Sequence, residues 1–342
     1  MGNARPIAYG GCAIGVACAA AHQSLSELPN GEADRYVVYS MLGQYLGPAN
    51  PNTNFIIFVE PIRSTRSFIT LTIKVSGSTS SSLRPCLSVT VDFVTRTSDP
   101  SNQENQDRSI LTYSAPPERT VTSWEHLEDW LTKLEKDKAQ GKLDSKSIET
   151  FKLLFKPATT LFEMRAPPEG ALTENLWGLL KKVETLQDRE GKSLTEKTSY
   201  DWARVRHPLL LRTTKSEARK ASGTEEALPI SKCSAHASSL AFHMDAALSF
   251  IPLSFSHMFL DDAAAASSLD FALRFHRDDL DMSRFHLREG KTSAGGNERT
   301  YSEGRLWDDR GTLVATMTQA CVMRPWSEEQ LLKMKREKQA KL

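Results

Sequence analysis

One order of elements occurs twice along the chain, and it narrows the choice of fold more than any other feature. A helix rich in small residues, GGCAIGVACAAAHQSL at 10–25, precedes the strand-like runs NFIIFVEPIR and RSFITLTIKVSG and closes with CLSVTVDFVTR at 86–96. The helix around 238–250 leads through SSLDFALRFHR to TLVATMTQACVMR at 312–324, so helix start and closing strand lie about 75 residues apart in both halves. One helix followed by a run of strands favours an α+β architecture, because a doubly wound sheet alternates helix and strand at every step. Each sheet is expected to wrap its helix, whose Ala, Gly and Cys side chains let the strands approach closely.

The pattern places a first module at 1–97 and a second at 159–326. A charged helical insertion at 98–158 joins them, and a basic tail runs from 327 to 342. Within the insertion a Thr122–Glu125 capping box opens a helix with Leu127, Trp130, Leu131 and Leu134 on one stripe. TLFEMRAPP (160–168) and DWARVRHPLLL (201–211) read as strands, separated by an amphipathic helix through Leu176, Leu179, Leu180 and Val183. KSEARKASGTEEA at 215–227 reads as a mobile loop.

With 39% hydrophobic and 25% charged residues the chain has the make-up of a globular protein, and a net charge of +1 gives no footprint for nucleic acid. No segment approaches the length of a membrane span. The five cysteines are odd in number and contain no CxxC pair, which suits thiols in a reducing compartment. The final Ala340, Lys341 and Leu342 form a near variant of the Ser-Lys-Leu address read by the peroxisomal import receptor, behind a Ser327–Gln330 capping box and a basic stretch. Peroxisomal localisation is the expectation.

GxSxG elbows, HExxH zinc motifs and GxxxxGK phosphate loops are all missing, and neither metal nor cofactor is expected. His236 and His243 lie seven apart and read as structural, since no carboxylate stands at ligand spacing. Gly10 and Gly11 open the first helix and offer either N–H groups for an anion or room for tight packing. Three polar residues interrupt apolar elements of the second module. Asp245 sits in the helix SLAFHMDAALSF, Ser268 precedes the strand LDFALRFH, and Gln319 lies in the last strand. A carboxylate, a hydroxyl and a carboxamide can orient and deprotonate one water, although three separately satisfied core groups would look the same in sequence.

These stretches resemble the type II acyl-CoA thioesterases, whose chain holds two fused hotdog modules. YGGCAIGVACAAAHQSL is similar to that family's Gly-Gly-led helix, and MLGQYLGPANPNTNFIIFVEPIRSTRSFITLTIKV to its strand pair. HMDAALSF, SSLDFALRFHR and GRLWDDRGTLVATMTQACVMR resemble the segments bearing the family's Asp, hydroxyl residue and Gln, which fall on Asp245, Ser268 and Gln319. The resemblance implies a double hotdog whose first module lacks or borrows the strand that the family places ahead of its helix, hydrolysis of an acyl-CoA to free acid and CoA, and a homo-oligomer. Asp245 would be the general base, with Ser268 and Gln319 holding the water. Two other readings compete: a hydrolase of a specialised secondary-metabolite or polyketide thioester, and an acyl-CoA-binding protein without catalysis.

Overall fold

The computed structural model describes residues 7–25, 27, 35–78, 83–96, 110–209 and 230–332. The expected loop at 215–227, the basic tail beyond 332 and its Ala-Lys-Leu end lie outside the described residues.

Both repeats fold as the pattern predicts. The first half comprises α1 (Gly10–Leu25), β1 (Tyr36–Tyr45), β2 (Phe55–Ser64), β3 (Phe68–Ser78) and β4 (Leu83–Thr95). The insertion then supplies α2 (Trp130–Ala139), α3 (Ser145–Leu154) and α4 (Lys156–Leu161). Next come β5 (Phe162–Arg165), the short α5 (Leu186–Arg189) and β6 (Ser199–Val205). After them follow α6 (Lys232–Met244), α7 (Ile251–Phe255), β7 (Ala265–Phe275), β8 (His286–Gly296), β9 (Arg299–Asp308) and β10 (Leu313–Arg324).

All ten strands form one antiparallel sheet in the order β2-β3-β4-β1-β7-β10-β9-β8-β6-β5. The two halves meet along a seam in which Ser40 to Gln44 of β1 pair with Arg274 to Asp270 of β7. In the second half β6 adds to β8, whereas β2, the matching strand of the first half, is an edge among the described residues.

α1 and α6 pack antiparallel within the curve of the sheet. Sequence reasoning assigned the small residues of α1 to contact with strands, but the closest approach is to α6. A Cβ on Gly11 would stand 2.5 Å from the Phe242 carbonyl oxygen and 2.4 Å from the Tyr9 ring. Only glycine fits there, and its missing side chain brings the start of α1 against the end of α6.

Five expectations are corrected. Thr122 does not open a helix, because its hydroxyl and N–H bond to Glu169 at 2.6 and 3.2 Å. Ser123 instead caps a single 3-10 turn, and α2 begins at Trp130. No helix runs through 176–183: Leu176, Trp177 and Gly178 take left-handed φ of 50°, 59° and 88° in succession. The Asn175 side chain fixes this turn by donating to Ser254 O and accepting from Gly178 N, at 2.9 and 3.1 Å. The helix expected to continue to 250 stops at Met244, and the strand expected over 201–211 is Ser199–Val205. Ser268 lies within β7 rather than before it.

The insertion has two parts. Residues 110–127 cross the outer face of the second half-sheet, where the indoles of Trp307 and Trp202 donate to Ala115 O and Thr122 O at 2.7 and 2.9 Å. α2 to α4 then join the main core through Trp130, Leu134, Phe151 and Ala158.

Candidate active site

Ser231 caps the start of α6, its hydroxyl accepting from Ser234 N, and the far end of the helix carries Asp245. The last helical residue is Met244, and Asp245 is the C-cap. A carboxylate at a helix C-terminus faces the unfavourable end of the dipole. Two devices offset this. The guanidinium of Arg288 on β8 donates from Nη1 to the carbonyls of His243 and Ala246 at 2.9 and 2.8 Å. The N-terminus of α1 also points at the carboxylate, to which the Gly11 N–H is bonded.

Asp245 is 5% exposed. Its Oδ1 accepts from Gln319 Nε2 and from Tyr45 OH, both at 2.8 Å. Oδ2 faces Gly10, where an added Cβ would stand 2.8 Å away. Burial pushes the carboxyl up to about 6, against the opposing pull of the bonds from Tyr45, Gln319 and Gly11 and of the Arg288 charge. The result is a carboxylate ionised at neutral pH yet basic enough to take a proton from water. Burial and the Asp245 charge hold the Tyr45 phenol well above its usual range, so it remains a donor.

The structure brings Asp245 and Gln319 together as the sequence suggested. Ser268 stands further along the same line. Its register partner is Cys321, it interacts with the Cys321 thiol, and that thiol lies 3.6 Å from Gln319 Oε1. Ser268 makes no bond to Asp245.

Sequence reasoning missed Tyr45. The only signal available was alternation, since Met41, Gly43 and Tyr45 share the inner face of β1. Tyr45 crosses between halves to reach a residue 200 positions away. Replacing it with phenylalanine removes one donor from an ionised group, an interaction worth about 1.5–3 kcal/mol. Since about 1.4 kcal/mol corresponds to one pH unit, the acid limb of kcat against pH should rise by roughly one to two units in Tyr45→Phe. An unmoved limb would show that this phenol does not tune Asp245.

Beneath Asp245 lies a buried ion pair that sequence reasoning also missed. Arg288 Nε and Nη2 donate to Asp201 Oδ2 at 3.0 and 2.7 Å, and the two residues face each other in the β6–β8 register. His243 Nε2 is 3.5 Å from Asp201 Oδ1, and burial and Arg288 hold the imidazole below its ordinary range. His236 accepts from Met282 N at 3.0 Å. Both histidines thus serve the core.

At the opposite end of the helix pair His22 Nδ1 bonds to Cys18 O at 2.9 Å, with Cys233 Sγ 3.9 Å from Nε2. Burial pushes His22 down to about 4, so it is neutral. A raised carboxyl thus stands at one end of the pair and a neutral imidazole at the other.

An apolar recess of about 70 Å³ lies beside the end of α6, lined by Tyr9, Phe155, Ala246 and Phe250, of which Ala246 directly follows Asp245. A larger space of about 250 Å³ lies under the 110–127 strap beside Trp202 and Trp307. It belongs to the outer face of the sheet, because Trp202 alternates with the inward Asp201 and Ala203.

Residues 1–94 match the model of the acyl-CoA thioesterase N-terminal domain, and residues 162–323 that of the acyl-CoA thioesterase C-terminal domain. The chain belongs to the acyl-CoA thioesterase family that these two domain models describe. As a member of that family it is a thioester hydrolase with a double hotdog fold. An acyl-CoA thioesterase II of Mycobacterium marinum is similar at 17% identity, with 93% of this chain and 90% of that one covered and a TM-score of 0.56. A tesB protein of Mycobacterium avium subs paratuberculosis is similar at 12% identity, with 95% and 91% covered and a TM-score of 0.57. A hot dog fold protein of unknown function from Alicyclobacillus acidocaldarius shares 13% identity, with 94% and 89% covered and a TM-score of 0.57. Among curated protein sequences none matches the chain.

Proposed function

We propose that this thioesterase hydrolyses an acyl-CoA through a water activated by Asp245. The observation that carries the reading is a buried carboxylate, raised to about 6, bonded by Gln319 and Tyr45 and one residue from the lining of an apolar recess.

The carboxylate takes a proton from water as the water oxygen attacks the thioester carbonyl carbon. The tetrahedral intermediate collapses with cleavage of the C–S bond, and the proton on Asp245 passes to the departing CoA sulfur. Gln319 and Tyr45 fix the carboxylate, and Ser268 contributes its hydroxyl further along the inner face, beside Cys321. The Gly11 N–H is already given to Asp245, so the amide group at the start of α1 first stabilises the base.

The test is release of CoA thiol from a panel of acyl-CoAs running from acetyl to palmitoyl. Turnover above the uncatalysed rate is expected for at least one chain length, rising as pH passes through about 6. A folded protein that releases no thiol from any member would overturn the proposal.

A further inference from the structure

We propose that the cavity beside Asp245 is the acyl pocket, that it accepts a short apolar acyl group, and that Phe155 of the insertion sets its depth. This rests on the assignment of Asp245 as the base and adds the class of substrate.

Position is the first argument. Ala246 follows Asp245 directly, and Tyr9 precedes Gly10 and donates to Phe242 O at 3.0 Å. The near wall is therefore built from the two segments that hold the carboxylate. An acyl carbonyl attacked at Asp245 has its tail directed along Tyr9 and Ala246.

Chemistry is the second. Leu154, Phe155, Pro157 and Ala158 form one side and Ala247 and Phe250 the other, so the lining contains no charged side chain. Such a space suits hydrocarbon and excludes the phosphates of CoA.

Size is the third. An engineered apolar cavity of about 150 Å³ holds benzene. The present 70 Å³ is about half of that, room for roughly three or four carbon atoms. Part of the lining is aromatic. The Phe155 ring lies 4.5 Å from Phe151, 5.6 Å from Trp177 and 6.3 Å from Phe250, centroid to centroid. It occupies the junction of α3 and α4, serving as C-cap of one and preceding the other. The insertion thus contributes to the pocket a ring carried at the junction of two of its helices and packed against Trp177 and Phe250 from outside them.

The experiment is kcat/KM on straight-chain acyl-CoAs from acetyl to palmitoyl for the wild type, Phe155→Ala and Ala158→Leu. The wild type should favour butyryl and its neighbours. Phe155→Ala should raise the ratio of octanoyl to butyryl activity by on the order of tenfold to a hundredfold, at roughly fourfold for each methylene newly buried. Ala158→Leu, which fills the space, should lower butyryl relative to acetyl activity. Phe155→Leu shifts the profile in the same direction by less, and decides the matter if the alanine variant does not fold. A wild-type optimum at long chains, or an identical profile in the Phe155 variant, overturns the pocket and leaves the hydrolase reading standing. Failure to hydrolyse any acyl-CoA overturns both.

Discussion

Asp245→Asn is expected to lower kcat by about 10²–10⁴-fold, the usual contribution of a positioned general base, while leaving the fold in place. An asparagine oxygen can still accept from Tyr45 and Gln319, so the side chain keeps its orientation and loses its basicity. The energetics also favour a folded variant. With its carboxyl raised to about 6 against an ordinary 3.8, the native state binds a proton more tightly than the unfolded chain. Stability therefore falls as pH rises from about 4 to 6, and at neutral pH the ionised group costs on the order of 3 kcal/mol. Removing the charge removes that cost, partly offset because an amide hydrogen would then face the Gly11 N–H. The variant should melt no lower than wild type at pH 7 and should lose the downward trend of stability between pH 4 and 6. Thermal melting beside steady-state kinetics reads both. Wild-type turnover in Asp245→Asn would remove this carboxylate from the chemistry.

Arg288→Met is expected to destabilise the protein by about 3–5 kcal/mol, the range for removing one partner of a buried charge pair. Asp201 is 1% exposed and would be left ionised without its guanidinium, while two carbonyls at the end of α6 lose their donor. Urea denaturation measures the loss. Replacing both charges, as Asp201→Leu with Arg288→Met, should recover much of it, because a well-packed apolar pair replaces a buried ion pair at little or no net cost. A double variant no more stable than the single one would mean that the carbonyls of α6, not the stranded carboxylate, carry the penalty. The charge itself also favours ionised Asp245, so any folded Arg288 variant should show its acid limb at higher pH.

The doubled pattern was legible because period-two and helical spacing are local signals, and both halves follow them. Asp245 and Gln319 were legible because polar groups stand out against apolar neighbours. Ser268 was found for the same reason, but its contacts depend on a β-bulge between Ala320 and Cys321 that no spacing reveals. Long-range partners account for the rest. Tyr45 reads as an ordinary strand-end tyrosine until the seam sets it against Asp245. Asp201 and Arg288 lie in stretches that look solvated, YDWARV and HLREGK, and only their register shows one buried pair. The stripe through Leu176 and Leu180 has helical spacing, but Asn175 and three left-handed residues override it. Thr122 has the chemistry of a cap, and Glu169 captures it from 47 residues away.

The seam between β1 and β7 ends at Gln44, one residue before Tyr45. All six tryptophans, at 124, 130, 177, 202, 307 and 326, lie in the insertion or beyond it, and none in the first half. Indole emission therefore reports on only one side of that join. If the first half peels away under mild denaturant, Tyr45 and Gly11 leave the carboxylate while every fluorophore keeps its surroundings. Enzyme inactivation would then precede any optical transition, and the gap between the two curves would measure how firmly the halves are zipped together.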